Sequence, residues 1–299
     1  MSHTVPCVGC DAPLRQSRPY FRSAKIVLYE CKSCGSLTSL PRPTPAEQIG
    51  RHDTEAYFEH PYFECRRGAN AALERRCRLT FEEIGNALDA RKLRGARHLD
   101  VGCDTGAFLL AAARLYGTVP YGVDIARRSV AEASKRGVTA YCCPLEELPG
   151  GVSGFTLLTA IDVLEHVSDP SGFMVEVNRR LEPGGVCYIE TPNARSRMYR
   201  WARVLGQITG NFPRWAFDRL FPPEHIQYFS EAGLRAIVRK AGLEVVRVSS
   251  RRLGWPDIAA TIPVRAAVSA IQMFDQSLQE RLLLCMVARR PNIGKEMGG

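Results

Sequence analysis

The sequence predicts an α/β fold: a doubly wound, mostly parallel seven-stranded sheet with a small cysteine-rich module in front of it. Three observations predict it. From residue 97 onward, short apolar runs alternate with stretches of helical period, as strand–helix–strand units of a parallel sheet do. The first run, "HLDVGCDTGAFLL" (98–110), passes from a strand through small residues into a helix. Ahead of it, "CVGC" (7–10) and "CKSC" (31–34) bracket a short apolar stretch, "AKIVLYE", that reads as a strand.

The elements follow in chain order. Cys7, Cys10, Cys31 and Cys34 form two Cys-x-x-Cys turns with twenty residues between them. Each turn lets two thiolates reach one ion, and two turns close a tetrahedral site, so residues 1–45 are expected to form a zinc ribbon with a structural Zn2+. A module of that size is too small for a full core of its own, and a metal would help to hold it. "PRPTPAE" (41–47) is a linker, and residues 46–95 are expected to be linker and helical cap. Residues 67–92 have helical spacing, with Ala71, Leu73, Cys77, Phe81, Ile84 and Leu88 near one face. Strands are expected at 97–101, 119–124, 138–142, 155–161, 185–191, 243–250 and 282–289. Helices are expected at 106–116, 128–136, 171–181, 230–241 and about 259–280. Residues 96–293 make up the main domain. The other cysteines, including the adjacent Cys142 and Cys143, read as small core residues.

The turn "GCDTG" is the chemical clue. Gly102 and Gly106 permit a tight turn between strand and helix. A dinucleotide site places a pyrophosphate at such a turn. Here Asp100 and Asp104 would repel it, and a cationic ligand fits better. S-adenosylmethionine (SAM) carries an ammonium and a sulfonium and no phosphate. Asp124 lies 22 residues after Gly102, the usual place for an acid that grips ribose hydroxyls.

With these residues in place, a resemblance can be named. "LDVGCDTG", "YGVDIA", "LEELP", "IDVLEHVSDP" and "NRRLEPGGVCYIETPN" resemble, in order, the class I SAM-dependent methyltransferase core, which is Rossmann-like. The likeness continues through "PEHIQYFSEAGLRAIVRKAGLEV" to "LLLCMVARRP". The ribbon in front of such a core resembles methyltransferases of bacterial glycan and natural-product pathways, including nucleotide-sugar enzymes. The resemblance places Asp100, Gly102, Cys103 and Gly106 at the methionine part of SAM, Asp124 at the ribose, and Ile125, Leu145 and Glu146 beside the adenine. It places Asp162 and Val163 beneath the methyl group. Three residues depart from the pattern: Asp104 stands where glycine is usual, Pro144 where an acid often meets the adenine amine, and Thr156 where aspartate is common.

The implied activity is O- or C-methylation of a small-molecule or glycan acceptor: a sugar nucleotide, a lipid-linked sugar or a natural product. Removing the acceptor's proton suits histidine. His225 is the expected base, with Glu224 orienting it, and His166 is expected in a hydrogen-bonding role. Residues 193–224 are too long for an ordinary connection and are expected to be a substrate lid. Residues 193–221 carry six arginines and one aspartate, with aromatics between them. Arg197, Arg200 and Tyr228 are the expected acceptor contacts, and arginine forks suit an anionic acceptor. Arginine among aromatics also suits peripheral membrane contact.

Composition narrows the setting. The chain has 299 residues, 45% of them hydrophobic and 24% charged, an ordinary globular profile. Its net charge of +9 is uneven: residues 98–192 hold seven basic against twelve acidic residues, residues 193–299 seventeen against eight. Eleven cysteines without an export signal suggest a reducing, cytoplasmic setting. Two other classes stay open, an RNA methyltransferase and a non-catalytic binding protein on the same fold. The absence of a recognisable RNA module makes nucleic acid an unexpected partner.

Overall fold

The computed structural model describes residues 5–14, 19–59, 71–212, 214–252 and 281–292. The helix expected at 259–280 lies outside the described residues.

Seven strands build the main sheet: β4 (Arg97–Val101), β5 (Val119–Asp124), β6 (Thr139–Cys142), β7 (Phe155–Ile161), β8 (Leu181–Pro192), β10 (Glu244–Arg251) and β11 (Leu283–Arg289). Their order is β10-β11-β8-β7-β4-β5-β6. Neighbours from β8 to β6 are parallel, and β11 is antiparallel to both β8 and β10. The expected mostly parallel seven-stranded sheet is therefore present. Buried parallel strands need apolar side chains on both faces, and Leu157, Leu158, Val186, Cys187 and Ile189 of β7 and β8 are fully buried. Strand order reverses at β4, which opens a crevice beyond the carboxyl ends of β4 and β7.

Helices α4 (Ala107–Tyr116), α5 (Arg127–Lys135), α6 (Pro170–Arg180) and α9 (Glu231–Lys240) connect or flank these strands. Asp169 and Ser230 cap α6 and α9 by accepting backbone N–H groups, the role short polar side chains play at helix starts. Of the helical segment expected at 67–92, residues 67–70 lie outside the described residues, and helix α3 (Ala71–Ile84) ends before 92. It gives way at Gly85, whose φ is +38°, to two short 3₁₀ turns. Leu73, Cys77, Phe81, Ile84 and Leu88 are buried as their spacing requires, but Ala71 is exposed.

The N-terminal module forms a second sheet from β1 (Phe21–Arg22), β2 (Val27–Glu30) and β3 (Leu37–Ser39). Its fourth strand is β9 (Gln227–Tyr228), which comes from beyond β8 and pairs with β3. Tyr20, Phe21, Ile26, Leu28 and Leu37 share one apolar cluster with Met198, Tyr199, Phe217 and Phe221. Those partners lie on α7 (Arg197–Thr209), on α8 (Arg214–Leu220) and just after α8. The cysteine module and the 193–224 segment thus share a core. Glu30 adds ion pairs to Arg195 at 3.3 Å and Arg203 at 3.5 Å.

Candidate cofactor and acceptor site

The glycine turn folds as its sequence demands. Gly102 and Gly106 have φ near +71° and +72°. A Cβ on Gly102 would lie 2.6 Å from Val163 Cγ2, and one on Gly106 2.7 Å from Val138 Cγ2. Both conformation and space therefore require glycine. Cys103 is buried against Gly122, where a Cβ would approach its sulfur to 2.5 Å.

Asp104 also lies in the left-handed region, at φ +45°. Aspartate tolerates that region better than most residues because its carboxylate bonds locally. Here Asp104 Oδ1 accepts from Ser129 Oγ at 2.8 Å, while its N–H donates to Asp124 Oδ2 at 2.9 Å. The departure from glycine has a structural use: it ties the turn to helix α5.

Asp100 and Asp124 close the turn at two strand ends. The Thr159 hydroxyl donates to Asp100 Oδ1 at 2.5 Å, and His98 Nε2 lies 2.9 Å from that hydroxyl. Burial, with Asp124 adding to it, pushes the Asp100 carboxyl up to about 7. Burial likewise raises Asp124 to about 6, although its oxygens accept from the N–H groups of Ala126 and Asp104. Two neighbouring carboxyls of raised pKa, Asp100 buried and Asp124 half-buried, gain from a cation placed between them. Leu145 is buried in the 3₁₀ turn after Pro144, and burial raises the Glu146 carboxyl. Ile125, half-buried, follows β5 directly. Cys142 is exposed at the end of β6, the strand at the sheet edge, so the expectation that it is a core residue is corrected, whereas Cys143, one residue past β6, is half-buried and packs against the main core.

At the end of β7 the backbone turns sharply, with Asp162 at φ +58°. Arg76 of α3 reaches Asp162 at 2.9 Å and the buried Glu190 at 2.8 Å. Arg251 reaches Glu190 at 2.5 Å, and the Tyr188 hydroxyl donates to it at 2.7 Å. This network ties α3 to the ends of β7 and β8.

Just beyond Asp162, three histidine rings line up. His52 meets His166 at 4.8 Å between centroids, and His166 meets His225 at 4.8 Å, each pair nearly perpendicular. One ligating atom each of Glu165, His166 and His225 lies within 4.8 Å of the others, a spacing that a cation could span. Burial lowers all three histidines, His225 to about 4, so they are neutral near pH 7. Glu165 is fully buried, and that burial pushes its carboxyl well above the usual range, with Thr191 donating to Oε2 at 3.0 Å. Among the described residues, Glu165 Oε1 and His225 Nδ1 are buried without a hydrogen-bond partner.

The scaffold behind the rings is long-range. His166 Nδ1 donates to the Glu224 carbonyl at 2.9 Å. Gln48 of α1 (Pro45–His52) donates to the carbonyls of His166 and Glu224 at 2.9 and 3.3 Å. Gln227 donates to the carbonyls of Leu164 and Val167 at 2.6 and 2.8 Å. These bonds sew residues 224–227 to residues 164–167. Two expectations need correction. Glu224 meets His166 through its backbone carbonyl while its carboxyl acts on His52, and the carboxyl that lies with His166 and His225 is Glu165. Tyr228 is fully buried, its hydroxyl 3.4 Å from the Leu220 carbonyl, so it packs behind His225 as a wall. The short, tightly paired β9 carries it into the interior. Arg197 and Arg200 begin α7, the first half-buried and the second exposed.

The four cysteines converge. Cys7 and Cys34 sulfurs are 3.6 Å apart, as are Cys10 and Cys31, and all four lie within 4.8 Å of one another. A tetrahedron with zinc–sulfur bonds of about 2.3 Å has edges of about 3.8 Å, so the spacing fits. The two turns match: the N–H groups of Asp11 and Gly35, each one residue past its second cysteine, bond the carbonyls of Cys7 and Cys31. Both residues have positive φ, +59° and +79°.

The methyltransferase domain family matches residues 70–248, well over half of the chain. The chain belongs to this family. The ubiquinone biosynthesis O-methyltransferase of Coxiella burnetii is 28% identical over 155 residues, 48% of this chain and 66% of that protein. Its counterpart in Methylocella silvestris is 33% identical over 135 residues, 43% of this chain and 52% of that protein. The match thus spans between about half and just under two thirds of these relatives. Magnesium protoporphyrin IX methyltransferase from Synechocystis, solved with S-adenosylhomocysteine bound, superposes with a TM-score of 0.55 at 15% identity, covering 83% of this chain and 100% of that one. Phosphoethanolamine N-methyltransferase 2 from Haemonchus contortus, in complex with SAM, superposes with a TM-score of 0.58 at 16% identity, covering 86% and 62%. These likenesses confirm the methyltransferase fold.

Sequence reasoning missed Arg76, Glu190, Arg251, Gln48, His52 and Glu165. Only Glu165 carried a signal, its place beside His166 in "LEHV". Arg76, Arg251, Gln48 and His52 meet the site across more than 50 residues of chain and Glu190 meets Asp162 across 28, and no local spacing marks them.

Proposed function

We propose that this chain transfers the methyl group of SAM to a small-molecule or glycan acceptor, with the O-methylation of its relatives as the preferred outcome. The observation that carries the proposal is the pair Asp100 and Asp124, both of raised pKa, at the ends of β4 and β5, with two neutral histidines beside a buried glutamate beyond the end of β7. When bound, SAM supplies an electrophilic methyl carbon on a sulfonium. Asp100 and the Gly102–Gly106 turn would hold its ammonium end, Asp124 its ribose, and Ile125, Leu145 and Glu146 its adenine. Much of the rate then comes from alignment in a closed crevice. His225, neutral at working pH, would take the acceptor's proton at one ring nitrogen. The negative Asp162 favours the imidazolium that results. His166, fixed by the Glu224 carbonyl, holds the ring in place.

The lid's six arginines against one aspartate favour an anionic acceptor, with Arg197 and Arg200 as its contacts. Cys7, Cys10, Cys31 and Cys34 would hold one structural zinc. Because that module shares its core with residues 194–221, the metal would brace the lid. In this division of labour, residues 1–45 brace, 46–95 cap, and 96–293 carry the reaction beneath the 193–224 lid.

Calorimetry tests the cofactor assignment: SAM should bind in preference to NAD. A screen of nucleotide sugars, lipid-linked sugars and phenolic acceptors, read by mass for one added methyl group, tests the reaction. Tight NAD binding without SAM binding would overturn the proposal.

A further inference from the structure

Helix α7 has three faces. Met198, Tyr199, Ala202 and Gly206 are buried against the protein. A second face, set by helical spacing, carries Arg200, Arg203 and Gln207. The third is apolar and open: Trp201 is 57% exposed, Val204 48%, Leu205 50% and Ile208 76%, and Phe212 just beyond the helix is 74% exposed. Leu205 and Phe212 line the rim of an apolar groove of about 270 Å³ between α7 and α8, floored by Phe217 and Leu220. Contiguous exposure of this kind marks an interaction surface.

We infer that this face docks on an anionic lipid bilayer. Charge decides the occupant. Residues 193–221 carry six arginines against one aspartate, and with Arg195 and Arg203 paired to the single carboxylate of Glu30 the face keeps a clear positive excess. Arg214 is exposed at the start of α8, the helix that walls the groove, where it would meet lipid phosphates. A second copy seated there would set two such basic segments against each other. Nucleic acid would match the charge but offers nothing to the exposed aliphatic side chains. Arginine beside an aliphatic and tryptophan face is the pattern of a helix lying in a bilayer interface. The placement suits a lid. Helix α7 follows the carboxyl end of β8, the sheet edge that carries the site. This inference does not depend on the acceptor assignment, since docking is measured without turnover.

The full chain should float with vesicles containing about a third phosphatidylglycerol and stay behind with neutral phosphatidylcholine vesicles. Raising salt should weaken the binding. The double change Ile208→Ser and Phe212→Ser touches only exposed side chains, so SAM affinity and far-ultraviolet circular dichroism should hold. Binding to anionic vesicles should fall roughly tenfold or more, because both side chains lose burial in the acyl boundary. Failure of the wild type to bind anionic vesicles would overturn the inference, as would equal binding to neutral ones. Unchanged binding by the double variant would show contact through charge alone, as nucleic acid would also make, and overturns it too. A wild-type dimer that the double variant converts to monomer would assign the face to a second copy instead.

Discussion

Asp100→Asn removes one charge from the end of β4 and keeps the shape of the side chain. In the wild type, burial pushes the Asp100 carboxyl up to about 7. An unfolded aspartate titrates near 3.9, so the folded state binds the proton more tightly. The stabilisation from protonated Asp100 is therefore complete below about pH 4, declines as pH rises, and is lost above about pH 7. Its slope is about 1.4 kcal/mol per pH unit, so the ligand-free protein loses on the order of 2 kcal/mol between about pH 5.5 and 7 through this group. An ammonium ligand has the opposite preference, for the ionised carboxylate. That form rises from about a tenth of the population at pH 6 to about three quarters at pH 7.5, so SAM affinity should climb roughly eightfold over the interval. Asp124, raised to about 6, steepens the fall at the acid end. The asparagine variant should show a flatter stability profile, weaker SAM binding near neutral pH and less pH dependence. Urea unfolding and calorimetry at a series of pH values measure both quantities. Wild-type SAM affinity that ignores pH over this interval, or equal affinity in the variant near pH 7.5, would refute the placement of Asp100 at the ammonium.

The remaining predictions address other parts of the molecule. His225→Ala should lower turnover by roughly 10²–10⁴-fold while SAM affinity holds, and near-normal turnover in a rate assay removes it as the base. Protein purified without added metal should contain about one zinc per chain by elemental analysis. Cys10→Ser should release the metal, lower thermal stability and raise the acceptor's KM more than the SAM Kd; a metal-free chain with an intact ribbon and lid would contradict this. Arg76→Met leaves Asp162 and Glu190 short of a partner, and denaturation should show a loss of about 3 kcal/mol, as for other broken buried pairs. Asp104→Gly exchanges the Ser129 hydrogen bond, about 1 kcal/mol, for relief at a positive φ of similar size. Its unfolding free energy should stay within about 1 kcal/mol of wild type and SAM should still bind.

The sheet was legible in the sequence because its information is local. The runs at 97–101, 119–124 and 155–161 coincide with β4, β5 and β7, and for β4 and β7 burial on both faces leaves few alternatives. Cys7, Cys10, Cys31 and Cys34 were legible because Cys-x-x-Cys fixes each pair within one turn. Gly102 and Gly106 were legible because only glycine fits a positive φ with a side chain pressed against it.

Tertiary structure alone decided how the second sheet is completed and what surrounds the histidines. Gln227–Tyr228 supplies the fourth strand of the N-terminal sheet, a pairing too short to stand out as a strand signal. The same pairing buries Tyr228, which sequence placed among the acceptor contacts. Gln48, His52 and His225 reach Glu165 and His166 from opposite sides of the chain. Arg76 is one of 40 basic residues facing 31 acidic ones, and nothing in its neighbourhood singles out Asp162 and Glu190 as its partners. Periodicity and steric demand are written in consecutive residues. A hydrogen bond or ion pair depends on a separation of about 3 Å in space, and only the folded chain sets that distance.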